Sequence, residues 1–168
     1  MIFSYDHGGR ELSRTYPFFH GFATLWEGGL RVPCLLRWPK QLPAVRVSDQ
    51  LAIHMDLTAS ILAATGVEPP RGRDLDGLRL FPILNGNELP VEREFFWRLS
   101  LRVRQQKAAR RGRWKYIRDG GTDLLFDVVA DSGERNDLVY TNPAVVKDLK
   151  QRLAAWEAEV DGSGPPPH

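Results

Sequence analysis

The sequence predicts an α/β fold that continues into a small antiparallel sheet packed on a C-terminal helix. Three observations carry this prediction. The chain opens on a strand-forming run, Met1 to Tyr5, which ends in polar residues and two glycines. Three short strand-like runs follow Leu89-Pro90, and after Asn142-Pro143 apolar residues recur at helical spacing.

Composition places the chain among ordinary globular proteins. Of its 168 residues, 42% are hydrophobic and 26% are charged, which excludes a disordered tail, a collagen-like repeat and a coiled-coil rod. No apolar run approaches the roughly 18 to 20 residues that a membrane-spanning helix needs, so we expect no membrane span. The single cysteine excludes an internal disulfide.

The opening run is predicted to be a core strand, and it leads directly into the first candidate functional residues. Asp6 and His7 follow the strand, and Gly8 and Gly9 come next. Ligands of open α/β sheets bind beyond the carboxyl ends of strands, and glycines let a backbone approach a ligand closely. A carboxylate beside an imidazole is half of a metal site, since a divalent cation needs at least four ligands. The alternative is a simple Asp-His turn at a strand end.

Residues 10–29 lack a clean periodicity and are predicted to form a long ordered loop. Gly28-Gly29 is predicted to make a tight turn near its end, and Glu27 and Arg31 are close enough to pair across that turn. This dense string is therefore interpreted as structural.

A second strand is predicted over Leu30 to Trp38, where apolar residues dominate up to Pro39. Cys34 lies inside this run and is predicted to be a buried small hydrophobe rather than a nucleophile. The one basic residue nearby, Arg37, is three positions away and falls on the other strand face.

The middle of the chain is predicted to be helical. Asp56 is expected to be the N-cap of a helix that ends at Gly66 as its C′ residue. A loop rich in Pro, Gly and charged residues covers 67–77, and a short helix is predicted over 78–84.

The C-terminal part is predicted to be a small sheet and one helix. Gly120-Gly121 is a turn signal between the last two strand-like runs, which favours antiparallel pairing. Asn142 is the expected N-cap of the final helix, whose apolar face is predicted to pack on the sheet, and residues 161–168 are predicted to be a disordered tail. The strand-like runs are Phe95 to Leu99, Lys107 to Arg118 with a break at Arg111-Gly112, and Leu124 to Val129.

Charge is unevenly distributed along the chain. Segment 102–118 holds eight basic residues and no Asp or Glu, which leaves 15 basic against 21 acidic residues elsewhere, a net charge of −6. The alternation of these charges with apolar residues predicts sheet strands with one solvated face. The rival interpretation, nucleic-acid binding, lacks a basic excess over the whole domain and a recognisable motif, so no nucleic-acid partner is expected.

Several strings taken together resemble a known family. In order along the chain, they match the C-terminal part of formylglycine-dependent sulfatases of the arylsulfatase type, within the alkaline-phosphatase-like superfamily. The resemblance implies an α/β fold, namely the C-terminal part of an alkaline-phosphatase-like sulfatase fold, with 1–90 in the α/β core and 91–160 as the small sheet-plus-helix subdomain. The strings are Ile2 to Gly9, Thr24 to Pro33, Arg37-Trp38-Pro39, Ser48-Asp49-Gln50, His54 to Leu57, Asp76-Gly77, Arg113 to Ile117, Leu125-Phe126-Asp127 and Asp131 to Leu138.

The resemblance implies a chemistry and candidate site residues. In such enzymes a Cys or Ser in a C/S-x-P-x-R motif becomes formylglycine, whose hydrate attacks the sulfur of a small sulfate ester, with a divalent cation, usually Ca²⁺, at the sulfate oxygens. Asp6 and His7 match a pair of metal ligands in this family. Calcium prefers oxygen ligands whereas histidine suits softer ions, so the ion's identity stays open. His20 and His54 are candidate substrate-pocket residues, the alternative being structural or surface histidines.

Three departures from the family pattern shape the functional prediction. The nucleophile motif is absent, because Leu35 and Leu36 follow Cys34. The acidic pair that supplies the other metal ligands is absent as well, and Phe22 stands where the family has a sulfate-contacting lysine. We therefore expect the 168 residues to be the C-terminal portion of a longer protein and to be inactive alone. A parallel core without its first strands exposes unpaired strand edges and apolar faces, so the isolated chain is also expected to be poorly soluble or oligomeric.

Two alternatives to a sulfatase fragment stay open. A degenerate homologue without catalysis is favoured by Phe22, and a phosphodiester or phosphonate hydrolase of the same superfamily would share the metal ligands. Many relatives are exported, but the sequence gives no compartment, oligomeric state or identity of the ester.

Overall fold

In a computed structural model, residues 1–10, 12–69, 72 and 74–162 are described, and the chain divides into two compact units. Unit 1 comprises Met1–Phe3 and Leu35–Glu92, and unit 2 comprises Ser4–Cys34 and the residues from Arg93 onward. The predicted domain boundaries at residues 90 and 160 stay predictions. The elements are β1 (Ile2–Ser4), α1 (Glu27–Leu30), β2 (Cys34–Leu36), α2 (His54–Thr65), α3 (Phe81–Leu84), β3 (Glu94–Leu101), β4 (Arg104–Arg111), β5 (Trp114–Asp119), β6 (Thr122–Asp127) and α4 (Pro143–Gly162).

Unit 2 is built on the antiparallel sheet that the sequence predicts. Its four strands lie in the order β3-β4-β5-β6, each paired antiparallel with the next. The run predicted as one interrupted strand from Lys107 is two strands, β4 and β5, because the backbone turns between them at Gly112, where φ is 54°. Gly120 and Gly121, with φ of 56° and 100°, make the predicted turn between β5 and β6.

Both faces of this sheet are covered, and this corrects the expectation of one solvated face. The face that carries Ala108, Ile117 and Phe126 packs against Leu25 and Trp26. The opposite face packs on α4, as predicted, through Ala109, Tyr116 and Leu125 on the sheet and Val146, Leu149 and Leu153 on the helix. With neither face in water, Lys115 of β5 is fully buried and needs a partner inside the protein.

Local residues set the start of helix α4, and a tertiary contact supports its end. Asn142 accepts the first helical hydrogen bond, from the amide of Val146 at 3.2 Å, and Pro143 occupies the first helical position. The predicted disordered tail is wrong for Asp161 and Gly162, which are helical. Asp161 receives two hydrogen bonds from the Arg98 guanidinium, at 3.0 and 2.9 Å, and this contact with β3 supports the last turn. Residues 163–168 of that predicted tail lie outside the described residues.

Unit 1 contains α2 and the short helix α3. Asp56 is not the N-cap as predicted but the third helical residue, and its carboxylate accepts hydrogen bonds from the amides of Ile53 and Leu78, both at 2.7 Å. Gly66 ends α2 with φ of 67°, as predicted. The second short helix covers only the last part of the predicted 78–84.

The strands β1 and β2 pair in a two-stranded sheet that is too small to bury its side chains. The opening run contains a strand, as predicted, but Ile2 and Phe3 are exposed within these 168 residues, so the expected core position stays a prediction. The second strand is three residues long instead of nine, and Cys34 at its start is exposed, which corrects the expectation of burial. Among the described residues, no helix combines the length and apolar character needed to cross a membrane.

Candidate functional site

The candidate site begins where β1 ends. The Asp6 carboxylate lies 3.5 Å from Nε2 of His7, so the two side chains face each other. The Asp6 side chain is 86% exposed and that of His7 is 36% exposed. His7 Nδ1 lies 2.7 Å from the carbonyl oxygen of Gly8, an acceptor that favours the proton on Nδ1 and leaves a lone pair on Nε2. A carboxylate oxygen and an imidazole nitrogen are thus presented to one small region of solvent.

Glycine contacts fix this corner of the chain against α1. The Gly8 amide donates to the carbonyl of Gly29 at 2.9 Å, and the Gly28 amide donates to the carbonyl of Phe19 at 3.0 Å. A Cβ on Gly8 would lie 1.8 Å from the Gly28 carbonyl oxygen, so no other residue fits there without moving one of the two backbones.

We predict that Gly8→Ala lowers the free energy of unfolding by about 3 kcal/mol, because the added methyl group meets backbone and not a side chain that can rotate away. Urea unfolding measures the change. Gly162→Ala, at a glycine with nothing within 4 Å of the added Cβ, is the control and is expected to change stability by less than about 1 kcal/mol. An equally small effect of Gly8→Ala would contradict the tight contact.

The segment expected to be a tight turn is instead the short helix α1, which is held by a buried ion cluster. Glu27 is 2% exposed, and its carboxylate lies 2.8 Å from Nζ of Lys115. Nζ of Lys115 also lies 2.9 Å from the carboxylate of Glu134, and the other oxygen of Glu134 accepts the Glu27 amide at 2.6 Å. The predicted Glu27–Arg31 pair is present at 3.8 Å, but the lysine is the closer partner. The cluster joins α1 to β5 and to the loop after β6.

Burial controls the electrostatics of this cluster. Desolvation raises the pKa of the Glu134 carboxyl, and the Lys115 ammonium opposes that rise. Desolvation lowers the pKa of the Arg110 guanidinium, which lies 3.5 Å from Glu27. Two cations and two carboxylates therefore share one water-poor region, where each charge depends on the others.

The ion cluster is the feature that sequence reasoning missed. Lys115 belongs to the basic strip for which the sequence predicts one solvated face, and no local pattern marks a role for Glu134. A signal was available, because strand alternation puts Lys115 on the same face as apolar Ile117, and a lysine on an apolar face requires a buried carboxylate. The identity of that carboxylate is not encoded locally, since Glu27 is 88 residues away.

A second set of contacts holds residues 23–26 against the sheet. Gln106 accepts the amide of Leu25 at 2.8 Å and donates to Asp119 at 2.6 Å, and the Trp26 indole donates to the same carboxylate at 3.1 Å. Arg104 donates to the carbonyl of Ala23 at 3.1 Å. These bonds fix the chain on both sides of the neighbouring Thr24.

The other two predicted site residues, His20 and His54, belong to different units. His20 lies in unit 2, 4.2 Å from Phe19 and 5.6 Å from Trp26 between ring centroids. Partial burial and the nearby Arg104 guanidinium lower the pKa of His20, with Asp119 acting in the opposite direction. His54 belongs to unit 1, where it is the first residue of α2.

Phe22, at the position where the resemblance implies a lysine, contacts the side chains of His7 and Arg10. Its ring centroid is 4.3 Å from that of His7, and the Arg10 guanidinium carbon is 4.4 Å from the same ring. Among the described residues, no group of three or more His, Cys, Asp or Glu side chains is placed to hold a metal ion.

A family model matches most of the chain. The family model described as N-sulphoglucosamine sulphohydrolase, C-terminal, matches residues 18–159, which include α1, the sheet and the buried ion cluster. The chain belongs to the sulfatase family. The resemblance found in the sequence is thereby confirmed.

Curated relatives of this sulfatase chain carry sulfatase names. It is 37% identical to N-acetylgalactosamine-6-sulfatase of Canis lupus familiaris over 187 aligned positions, which cover 91% of this chain and 36% of the relative. It is 35% identical to the steryl-sulfatase of Mus musculus over 107 positions, 58% of this chain and 17% of the relative. The chain thus spans about a third or less of the length of these relatives.

Solved structures confirm the fold. The crystal structure of Ps i-CgsB superposes with a TM-score of 0.84 at 26% identity, over 92% of this chain and 35% of that one. The PsFucS1 sulfatase from Pseudoalteromonas sp. superposes with a TM-score of 0.72 at 22% identity, over 94% of this chain and 36% of that one. The predicted fold class, the C-terminal part of a sulfatase α/β fold with an antiparallel sheet on a C-terminal helix, is confirmed.

Proposed function

We propose that this chain supplies the C-terminal part of a sulfate ester hydrolase and that Asp6 and His7 are half of its cation site. The observation that carries the proposal is the facing pair of ligand atoms, 3.5 Å apart, at the end of β1. Membership of the sulfatase family supports sulfate esters as the substrate class. The names of the relatives specify different sulfate esters, so we propose only the substrate class.

The donor atoms of this corner fit a divalent cation. Asp6 offers an exposed carboxylate, and the Gly8 carbonyl fixes the His7 ring with Nε2 free to bind metal. A cation held there would neutralise charge on the sulfate oxygens. Calcium is the ion that the resemblance implies, and the remaining ligands would come from residues outside these 168 positions. His20 and His54 each stay candidate substrate-pocket residues.

The task of this chain's own residues is to hold that corner in place. Backbone contacts at Gly8 fix it against α1, and the Lys115 cluster fixes α1 against the sheet. Hydrolysis of a sulfate ester also needs a nucleophile that attacks the sulfur atom. The sequence contains no C/S-x-P-x-R motif, so the formylglycine nucleophile would also come from outside the chain.

The second candidate is a degenerate sulfatase homologue without catalysis. Phe22 favours it, because a phenyl ring cannot replace the charge of a lysine that contacts the transferring group. A reading frame upstream of Met1 that encodes C/S-x-P-x-R would support the enzyme, and a coding sequence without that motif would support the degenerate homologue.

The direct test is hydrolysis of an aryl sulfate by the 168-residue chain and by the complete product of its gene. We expect no turnover by the chain alone, and turnover by the complete product that is lost with a chelator and restored by Ca²⁺. Turnover by the chain alone would contradict the proposed division of the site. A complete product that carries the nucleophile motif and leaves sulfate esters intact would contradict the proposed reaction.

A further inference from the structure

A cleft of about 730 Å³ in unit 2 has the chemistry of an anion-binding site. Two arginines, Arg10 and Arg104, line it together with His20. Ser13, Thr15 and Thr24 also line it, with the Thr24 hydroxyl donating to the carbonyl of Gly21 at 2.8 Å, and among the described lining residues no carboxylate is present. Arginine cations without a competing carboxylate favour a small oxyanion.

Arg10 connects this cleft to the candidate cation site. It also lines a neighbouring cleft of about 600 Å³, whose wall contains Asp6 and His7. Its guanidinium carbon lies 4.4 Å from the centroid of Phe22, and the Phe22 ring contacts that of His7 at 4.3 Å. The ring attracts the guanidinium through a cation–π interaction and so holds it over Phe22, whose ring contacts His7 of the candidate cation site.

Arg104 is the second cation of the cleft, but it also has a structural role. One of its N–H groups donates to the carbonyl of Ala23 at 3.1 Å, which fixes the backbone next to Phe22. Replacing it would disturb that backbone as well as remove a charge. Arg10 is therefore the residue whose replacement tests anion binding most directly.

We propose that the cleft binds a sulfate group and that Arg10 is its anion-contacting residue, with the guanidinium supplying the positive charge that Phe22 lacks. The proposal rests on the proposed function, since the bound group would be the sulfate of the ester or the sulfate ion released from it. A guanidinium presents two parallel N–H donors to an oxyanion, which suits two of the oxygens of a tetrahedral sulfate group. In this proposal the Phe22 ring positions the charged Arg10 side chain, whereas a lysine at this position would carry the charge itself.

The test is a titration of the full 168-residue chain at dilute concentration with sodium sulfate, at ionic strength held constant with chloride and followed by tryptophan fluorescence. Arg10→Ala is expected to weaken sulfate binding by about tenfold or more, and Arg10→Lys by less. Adding Phe22→Lys to Arg10→Ala is expected to restore binding at least in part, because a charge returns to the same place. An aryl sulfate is expected to compete with sulfate for the site.

Arg93→Ala is the matched control. Arg93 also lies over a phenylalanine ring, 4.6 Å from the centroid of Phe95, but it is not part of the cleft wall. The control is expected to leave sulfate binding unchanged, and thermal melts of each variant separate lost binding from lost folding. Sulfate binding no stronger than chloride binding, an unchanged Arg10→Ala variant, or an equal loss in Arg93→Ala would overturn the proposal.

A hydrolysis measurement separates this inference from the function on which it rests. In a complete gene product that hydrolyses aryl sulfates, an unchanged kcat/KM in Arg10→Ala would sink the role of Arg10 alone. If the wild-type chain binds sulfate through Arg10 and the complete product hydrolyses no sulfate ester, the proposed reaction fails while the anion site stands.

Discussion

Replacing Lys115 by methionine is expected to lower the free energy of unfolding by about 3–5 kcal/mol, because it leaves two buried carboxylates without their shared cation. Nζ of Lys115 lies 2.8 Å from Glu27 and 2.9 Å from Glu134, and the lysine side chain is fully buried. Methionine preserves most of the length and apolar contacts of the stem, so the loss reports the charge. Urea unfolding followed by tryptophan fluorescence measures it.

Lys107→Met is the control for the Lys115 variant. Lys107 is on the neighbouring strand β4 and pairs with Glu157 at 2.6 Å, but its side chain is 43% exposed. Because solvent screens that pair, the expected loss is below about 1 kcal/mol. Comparable losses in the two variants would show that the buried Lys115 cluster contributes no more stability than an exposed ion pair. Adding Glu134→Gln to Lys115→Met is expected to recover part of the loss, because one of the two buried charges is then removed.

The same cluster predicts a pH dependence with a definite sign. Burial raises the pKa of Glu134 above its ordinary value of 4.5, so the folded state binds more protons than the unfolded state just above that pH. The free energy of unfolding therefore falls as pH rises through this window. Without Lys115 the pKa rises further, and the window extends upward. Lys115→Met is thus expected to cost more at pH 7 than at pH 5; equal costs at the two pH values would contradict this account.

The second large effect is expected at the proposed cation site. Asp6→Asn keeps the size of the side chain but removes a charged oxygen ligand, and it is expected to reduce the affinity of the complete gene product for its cation by about 100-fold or more. Hydrolysis of the aryl sulfate at limiting Ca²⁺ is expected to fall in proportion. Stability is expected to change by less than about 0.5 kcal/mol, because the Asp6 side chain is 86% exposed.

Two further measurements make the Asp6 prediction specific. Asp74→Asn removes an equivalent exposed charge in unit 1 and is expected to leave cation affinity and hydrolysis unchanged. High Ca²⁺ is expected to restore part of the activity of Asp6→Asn, since the other ligands are intact. A variant with normal cation affinity would remove Asp6 from the site, whatever its rate of hydrolysis.

Elements with strong local signals were predictable from the sequence. Asn142-Pro143 starts α4, Gly66 ends α2, and Gly120-Gly121 turns the chain between β5 and β6, because each depends on backbone angles and hydrogen bonds within a few residues. The boundaries that failed depend on distant partners. Asp161 and Gly162 stay helical while Asp161 contacts Arg98, 63 residues away.

Short elements and burial were much less predictable. Gly28 and Gly29 have low helix propensity, yet they are part of α1 because Glu27 is held by Lys115 and Glu134. Cys34 is exposed in spite of its apolar neighbours, because the three-residue strands β1 and β2 cover too little surface to bury it.

From its residues alone, the sequence determined the family, the order of most elements, and the adjacency of a carboxylate and an imidazole after the first strand. Only the tertiary structure decided that those two groups face each other, that a lysine from a basic strip is buried between two glutamates, and that an arginine lies over the phenylalanine where a lysine was expected. Local patterns fix backbone conformation within a few residues. Burial and charge pairing depend on contacts between segments about a hundred residues apart, which form only when both faces of the sheet are covered.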